Sequence, residues 1–304
     1  MSKNYNKIKQ TRSDSIFNFV ITSLAIIALV VTFYPLFFVF VASFSDPKVV
    51  NSGALLLFPR GFNVEGYVNI YHDTRIWVGY RNTIVYTIIS TMLGVLACTM
   101  AGYALSRKDL PGRNLVMAYF VFTMYFSGGL IPTYIVIREL HLVDTALAII
   151  ILSTVSVYHI IITRSFFISN IPTELYEAAS IDGCSNQRFF FSIVLPISKA
   201  IIAVLILFQG ISHWNSYFWP MILLNDEKKY PLQLILRQIL LVSQQTQNVN
   251  TGGMIDVEAA AKAKNMVEVL KYGIIVVSTL PIIIAYPFLQ KYFVKGVMIG
   301  SIKG

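Results

Sequence analysis

The sequence predicts an all-α, polytopic membrane protein with six transmembrane helices. Of its 304 residues, 56% are hydrophobic and only 13% are charged, which is about half the charged fraction of a soluble domain. The apolar residues come in runs long enough to cross a bilayer as helices, and no Asp or Glu lies inside them. Two cysteines indicate no disulfide framework. We therefore interpret the net charge of +9 by its distribution across the membrane rather than as a nucleic-acid surface.

The apolar runs set the order of the spans. A basic tail, residues 1–15, precedes the first run at 16–44, which exceeds the apolar core of about 7–15 residues in a secretory signal, so we expect an uncleaved span. The later spans are expected at 82–105, 114–137, 145–168, 192–219 and 272–289. The membrane domain would thus occupy residues 16–290, with an external loop at 45–81, a polar region at 220–271 whose last part, 257–271, is helical, and a tail at 291–304.

Two spans contain small residues with a structural meaning. In the second span, Gly94, Cys98 and Gly102 recur at four-residue intervals and predict a strip for close helix contact. The third span contains Gly128, Gly129 and Pro132, which predict a break in the helix. Such breaks are tolerated in membranes where neighbouring helices or a water-filled cavity satisfy the freed backbone groups.

The hydrophilic connection at 169–191 predicts a rigid knob on the membrane surface. Pro172 fits the first turn of a short helix at 171–181, with Ser169 or Asn170 available as a cap. Gly183 follows this helix, where a left-handed turn costs glycine least. A second helical run at 185–194 then leads to Pro196 at the start of the fifth apolar run.

The residues of this connection resemble the EAA loop of binding-protein-dependent ABC transporter permeases. The matching positions are Glu177, Ala178, Ala179, Asp182, Gly183, Phe190, Ile193, Leu195 and Pro196. Cys184 and Ala200 depart from the usual alanine and second proline. The resemblance implies the permease fold of a type I ABC importer, in which the loop docks on an ATP-hydrolysing subunit. The coupling residues it implies are Glu174, Glu177, Ala178, Ala179, Asp182, Gly183 and Pro196.

Other stretches are similar to the oligosaccharide branch of these permeases. They are Asn82–Thr83, the run 101–107, the run 128–132, Trp214–Asn215 with Pro220, and the ending 292–300. The resemblance implies a maltose-type second permease that takes up a sugar, and the branch it resembles indicates an oligosaccharide. It also implies a second homologous permease, two ATP-binding subunits that hold ATP and Mg, and an extracellular solute-binding protein as partners.

Basic residues predict the orientation. With the N-terminus inside, the short internal segments carry more Lys and Arg than the longer external ones, and most of the acidic residues lie outside. Six spans then place both termini and the 169–191 connection in the cytoplasm. The family implies a bacterial cell membrane, with the ATPase on the same side as the loop.

The chain lacks the motifs of enzymes and cofactor sites. It has no glycine-rich phosphate loop with its Lys-Ser/Thr ending, and its four histidines have no metal-ligand spacing. We therefore expect no enzyme activity, no metal and no cofactor in this chain. An ion-coupled secondary transporter is the alternative, but such carriers usually place a carboxylate or a broken-helix ion site near the midplane, and no span has an Asp or Glu.

The outer end of the fifth span predicts substrate contact. His213, Trp214, Asn215 and Tyr217 combine aromatic rings with an amide, as sugar sites do. On a continuous helix, Trp214 and Tyr217 would share a face. The alternative is an interfacial aromatic belt. We expect His159 and His213, both in spans, to hydrogen-bond to neighbouring helices rather than to bind a ligand.

Overall fold

The computed structural model describes residues 11–53, 57–248, 267 and 270–287, and this part of the chain contains helices and no strands. The predicted all-α fold class is therefore confirmed. The α-helices in chain order are α1 (Arg12–Ser43), α2 (Pro47–Asn51), α3 (Glu65–His72), α4 (Thr74–Ser106), α5 (Arg113–Tyr125), α6 (Leu130–Glu139), α7 (Ala146–Leu152), α8 (Val157–Asn170), α9 (Thr173–Ile181), α10 (Asn186–Phe189), α11 (Leu195–Ile197), α12 (Lys199–Trp214), α13 (Phe218–Leu223), α14 (Leu232–Asn248) and α15 (Leu270–Pro287). A π-helix, Phe190–Val194, joins α10 to α11, and a short 3₁₀-helix covers Glu227–Lys229.

Three of the described helices, α1, α4 and α15, are each long and apolar enough to cross a membrane. Three further pairs pass the same test together but are bent: α5 with α6 by 111°, α7 with α8 by 46°, and the run Asn186–Ile197 with α12 by 81°. If each bent pair forms one span, the described chain contains six. The predicted helix 257–271 lies almost entirely outside the described residues, and the tail 291–304 lies wholly outside them.

The described residues fall into two compact units, one drawn from residues 1–70 and 243–276 and the other from 71–242 and 277–304. In the first unit, the end of α1 packs Val41 and Ala42 against Val50 of α2. Ser43 Oγ lies 2.7 Å from the Tyr67 hydroxyl. Most of α1 is apolar and exposed, so its surface needs lipid or another protein to cover it.

The core of the second unit is α4, which packs against α8 and α12. The predicted small-residue strip is confirmed. A Cβ atom on Gly94 would lie 2.3 Å from Gln209 Oε1 of α12 and 2.3 Å from the Thr154 carbonyl oxygen. One on Gly102 would lie 2.8 Å from Thr163 of α8. These backbones approach each other so closely because no side chain separates them.

The first part of α4 forms hydrogen bonds to the polar segment at residues 228–232, which leads into α14. Asp73 caps the helix by accepting from the Arg75 amide, so α4 begins well before the predicted residue 82. Asn82 Nδ2 then donates to the carbonyl oxygens of Lys228 and Tyr230, and Thr83 Oγ1 accepts from the Leu232 amide. These bonds satisfy backbone groups of the loop that a helix or sheet would otherwise satisfy.

The predicted break in the third span is confirmed, but two other breaks differ from the sequence prediction. The fourth span bends between α7 and α8, at residues 153–156. The fifth run is not one helix: it bends at Ser198, and α12 ends at Trp214, where Asn215 Nδ2 bonds back to the Ile211 carbonyl. Tyr217 precedes a separate helix, α13. The expectation that Trp214 and Tyr217 share one helix face is therefore wrong.

Candidate functional site: the loop at 169–191 and a polar cavity in the spans

Helix α9 begins later than the sequence predicts. Pro172 occupies the cap position with no side-chain cap bond, and α9 runs from Thr173 to Ile181. Ser169 and Asn170 are not caps, because they complete α8; Asn170 Nδ2 donates to the Phe166 carbonyl. The acidic Glu174 lies in the first turn of α9, where the helix dipole favours negative charge.

Gly183 adopts the predicted left-handed conformation, with φ 73°. The Gly183 amide donates to the Ser180 carbonyl, and the Cys184 amide donates to the Ala179 carbonyl, at 3.1 and 2.9 Å. This pair of bonds is a Schellman motif, which satisfies the last carbonyls of α9 and reverses the chain. Ser185 then caps α10 by accepting from the Arg188 amide. The two halves of the loop are thus joined by a defined turn.

The chain after α10 winds as a π-helix and then bends. Pro196 has no N–H to donate to the carbonyl of Ser192, so regular α-helical bonding cannot continue through it. The chain bends by 81° between the run Asn186–Ile197 and α12. Pro196 itself is exposed.

An aromatic cluster fastens the loop to the spans. Ala179, Phe189, Phe190 and Val194 of the loop are buried together with Phe167 of α8. Tyr103 of α4 packs against this cluster, with its ring centroid 5.1 Å from that of Phe190 and 5.9 Å from that of Phe167. The loop is therefore packed on the ends of two spans rather than being tethered only through its chain ends.

Arg107, the residue that follows α4, lies where the end of α4 meets α9. Its guanidinium lies 3.4 Å from the ring centroid of Tyr176 in α9, a cation–π contact. It also donates to both carboxylate oxygens of Asp109, at 2.8 and 2.6 Å, and to the Tyr103 hydroxyl at 3.1 Å. The Asp109 carboxylate raises the pKa of Arg107, and Arg107 in turn holds the pKa values of Asp109 and Tyr176 below their ordinary values.

Tyr176 connects the two halves of the loop as well as the loop and α4. Its hydroxyl donates to Asn186 Oδ1 at 3.0 Å, and its ring meets Phe189 edge-on at 5.4 Å. One side chain therefore contacts Arg107, the start of α10 and the aromatic cluster. Tyr176 therefore links α9 to the end of α4 through direct contacts.

The opposite face of α9 is uncovered. Glu174, Glu177, Ala178 and Ile181 follow the spacing of one helix face, and all four are exposed, Ile181 to 87%. Asp182 and Gly183 are exposed next to this face. Of the predicted coupling residues, Ala179 is the buried one, because it packs into the aromatic cluster. The exposed face of α9 is acidic and apolar, which suits contact with another protein. The other face of α9 is fixed by its packing against the aromatic cluster.

A polar cavity of about 420 Å³ lies between the start of α8 and α12. Its polar lining comprises Ser153, Ser156, His159, Gln209, Ser212 and His213, and Tyr158 and Phe208 add aromatic walls. His159 Nδ1 lies 3.3 Å from Gln209 Nε2, which confirms the hydrogen bond expected between His159 and a neighbouring helix. In the described part of the chain, Gln209 Oε1 and His213 Nε2 are buried without a hydrogen-bond partner. The expected bond from this atom of His213 to a neighbouring helix is therefore absent there.

The family model of the binding-protein-dependent transport system inner membrane component matches residues 9–299. The chain belongs to this family. It is a permease subunit rather than an enzyme, and the resemblance found in the EAA loop is confirmed.

Similar proteins are sugar-transport permeases. The Bacillus subtilis polygalacturonan/rhamnogalacturonan transport system permease protein YtcP is 36% identical over 291 residues, covering 96% of this chain and 99% of YtcP. The arabinooligosaccharides permease AraQ of Halalkalibacterium halodurans is 27% identical, covering 92% and 94%. A chain from the crystal structure of a bacterial ABC transporter involved in the import of the acidic polysaccharide alginate superposes with a TM-score of 0.81 at 32% identity, covering 94% of this chain and all of that one.

The predicted substrate-path residues of the permease lie in different surroundings. His213 lines the polar cavity, whereas Trp214 lines a separate apolar cavity and donates from Nε1 to the Ser278 carbonyl at 3.0 Å. Asn215 and Tyr217 are exposed, and the Tyr217 ring lies 5.1 Å from the Arg237 guanidinium. The structure thus brings His213 into a polar site and leaves the other three outside it.

Sequence reasoning missed the permease residues that join elements far apart in the chain. In the sequence, Arg107 and Tyr103 stand out only as members of the family run 101–107, and no motif contains Gln209. A signal was present for Gln209, since an amide in an otherwise apolar span needs a partner. For Arg107 the signal was weaker: a cation directly after a long helix has many possible partners.

Proposed function

We propose that this permease is one membrane subunit of an ATP-driven ABC importer that takes up an oligosaccharide. A solute-binding protein delivers the sugar from outside. A second, homologous permease completes the path, and two ATP-binding subunits hold ATP and Mg and hydrolyse the nucleotide. This chain carries no cofactor of its own. The similarity to permeases for polygalacturonan and arabinooligosaccharides, and to an importer of alginate, supports a carbohydrate substrate.

The observation that carries the proposal is the rigid attachment of α9 to the ends of α4 and α8. An ATPase that grips the exposed face with Glu174, Glu177 and Ile181 moves α9 as a body, since Tyr176 and the aromatic cluster hold it. Helix α4 carries this movement past the Gly94–Gly102 strip to α12. The spans then switch the central cavity from inward-facing to outward-facing.

The proposed orientation puts both termini and the EAA loop in the cytoplasm of a bacterial cell. Its support is the excess of Lys and Arg in the short segments on that side. The ion-coupled alternative gains no support from the family match, since these permeases are named for their dependence on a binding protein.

The proposal is tested by purifying the tagged chain from its host membranes and reconstituting the assembly in vesicles. We expect a second permease and an ATPase to co-purify, and we expect sugar uptake only with ATP and the binding protein present. Uptake by this chain alone under a proton or sodium gradient, with no ATPase in the particle, would contradict the proposal.

A further inference from the structure

We propose that the polar cavity between α8 and α12 is a binding site for sugar hydroxyls. It is the part of the transport path that this subunit itself provides. The inference rests on the proposed function and assigns one part of the path to named residues. It replaces most of the cluster predicted from the sequence at the outer end of the fifth span. Of that cluster it keeps only His213, which lines the cavity.

The position of the cavity is the first argument. Its serines, Ser153 and Ser156, bound the break between α7 and α8. This break falls in the middle of the expected fourth span, 145–168, where a broken helix is tolerated only against protein or a water-filled space. Ser153 and Ser212 are exposed at this depth. Lipid would be a poor neighbour for these hydroxyls, so we infer that water or a polar ligand covers this face.

Unused hydrogen-bonding capacity is the second argument. Gln209 is only 2% exposed and His213 only 8%. Gln209 Nε2 is engaged by His159 and Cys98, but Gln209 Oε1 and His213 Nε2 lack partners among the described residues. Buried polar groups are normally hydrogen-bonded, and those without protein partners indicate a water or ligand. A hydroxyl group suits such a site because it donates and accepts at once.

The shape and charge of the lining indicate a sugar. The His159 ring stacks on Phe208 with centroids 6.2 Å apart and an angle of 8° between the planes, and Tyr158 stands beside them. Flat aromatic walls suit the apolar C–H faces of a sugar ring, and serine, amide and imidazole groups suit its hydroxyls. Among the described residues, the lining contains no Lys, Arg, Asp or Glu. The cavity therefore recognises hydroxyls rather than the carboxylates of an acidic sugar.

The second cavity of the same unit provides a matched control. It is larger, about 750 Å³, and is lined mainly by apolar side chains such as Met92, Leu96 and Ile206. Met92 is 68% exposed, so a cysteine placed there is not hidden by the chain's own atoms. Because cysteines at both positions would be exposed, a difference in their reaction rates with a polar reagent reports the water content of the two cavities and not the burial of the thiols.

The first test measures reactivity toward a trimethylammonium methanethiosulfonate reagent in the assembled importer. Ser212→Cys is expected to react at least about tenfold faster than Met92→Cys, because only a hydrated thiol ionises to the reactive thiolate. Cys184→Ser removes the exposed background thiol. Equal rates for Ser212→Cys and Met92→Cys, in the resting complex and during ATP turnover, would overturn the inference.

The second test measures uptake of trigalacturonate and arabinotriose by the reconstituted importer. Gln209→Leu, His213→Phe and the milder Ser212→Ala should each raise KM, by about tenfold for the two buried residues, with Met92→Leu unchanged. Ser212→Ala decides the question if the buried variants fail to assemble. Wild-type KM in all assembled variants overturns this inference alone. A wild-type complex that takes up neither sugar with ATP contradicts the proposed function and this inference with it.

Discussion

Asp144 holds the segment that leads into the 3₁₀-helix. The Asp144 Oδ1 atom accepts from the amides of Asn225 and Asp226, and its Oδ2 atom pairs with Lys229 Nζ at 2.7 Å. Its own backbone is left-handed, with φ 58°, a conformation that Asp and Asn tolerate better than most residues. A single residue thus satisfies three donors of a distant loop.

Replacement of Asp144 should expose this loop to protease. Asp144→Ala removes the acceptor and disfavours the left-handed backbone, so trypsin should cleave at Lys228 or Lys229 roughly tenfold faster, in proportion to the open population. Asp144→Asn keeps Oδ1 and the backbone preference, and should lie much closer to wild type. Cleavage is measured by adding trypsin to spheroplasts. Equal cleavage of wild type and Asp144→Ala would contradict this role.

The pH dependence of this contact follows from its pKa. Hydrogen bonds from Lys229 and from the two amides lower the pKa of Asp144 to about 2. A carboxyl whose pKa is lower in the folded state stabilises that state at pH values above its ordinary pKa of 3.8, and the effect is lost as pH falls through about 2. Trypsin sensitivity of the wild type should therefore stay constant between about pH 6 and 9, apart from the enzyme's own profile.

Gly183 is required for its backbone conformation and not for space. Apart from its chain neighbours, no atom of the described residues lies within 4 Å of a Cβ placed on it. Gly183→Val should strain the left-handed turn by about 1–3 kcal/mol and reduce uptake, whereas Gly183→Asn should retain most of it, because asparagine tolerates this conformation. Uptake is normalised to assembled complex. Equal loss in both variants would show that the space beside Gly183, and not its φ angle, is what matters.

At the residue scale, sequence predicts what is local. The Schellman turn at Gly183 depends on its immediate neighbours, and the structure confirms it. The contact of Arg107 with Tyr176 joins positions far apart in sequence, so no local pattern specifies it. The prediction that Ser169 or Asn170 caps α9 is wrong, because α8 continues through both residues. The Asn170 side chain instead donates to the Phe166 carbonyl within α8.

Among the elements, α4 is the helix that contacts both the loop and the polar cavity. Its end is held by Arg107 and by Arg164 Nε, which donates to the Leu105 carbonyl at 3.0 Å. Its middle meets Gln209 and the break between α7 and α8 across Gly94. The helix therefore contacts both candidate sites directly.

Substitution in the small-residue strip should separate these helices. Gly94→Ala would place Cβ 2.3 Å from the Thr154 carbonyl, a backbone atom that cannot easily move. We expect a loss of about 1–3 kcal/mol in thermal stability of the complex, as for overpacked cores. Gly210→Ala in α12 is the control, since its added Cβ would meet Thr91 Oγ1 at an ordinary 3.9 Å. Equal stability of the two variants would argue against close packing at Gly94.

At the element scale, sequence predicts breaks that glycine and proline cause. The pair Gly128–Gly129 predicts the bend that the structure has between α5 and α6. The bend at 153–156 has no such residue and arises where Thr154 and its neighbours meet α4, so composition gave no sign of it. Likewise, nothing in the run HWNSYF marks the end of α12 at Trp214 except the weak helix preference of asparagine and serine.

Viewed as a whole, the molecule exposes far more apolar surface than a soluble protein could, with α1 uncovered along most of its length. Membrane insertion follows from composition alone, and family membership follows from one loop, so both could be predicted. The partner-facing surfaces could not, because exposed apolar residues look the same whether lipid or another permease covers them.

Orientation can be measured with a natural reporter. Cys184 in the EAA loop is partly exposed, while Cys98 is buried. An impermeant maleimide should label the chain in inside-out vesicles stripped of peripheral ATPase and leave it unlabelled in intact spheroplasts. Cys184→Ser should abolish the signal. Labelling from the outer face would contradict a cytoplasmic loop.

The coupling account is tested most directly by the number of sugar molecules taken up per ATP hydrolysed in vesicles containing the assembled importer. Arg107→Ala removes the contact that joins α4 to Tyr176, worth about 1–2 kcal/mol, so ATP hydrolysis should continue while uptake per ATP falls roughly 5–30-fold. Arg107→Lys keeps the charge but loses the planar stacking and should lie between. Lys108→Ala, in the same turn, should match wild type. An unchanged ratio in Arg107→Ala would contradict the account.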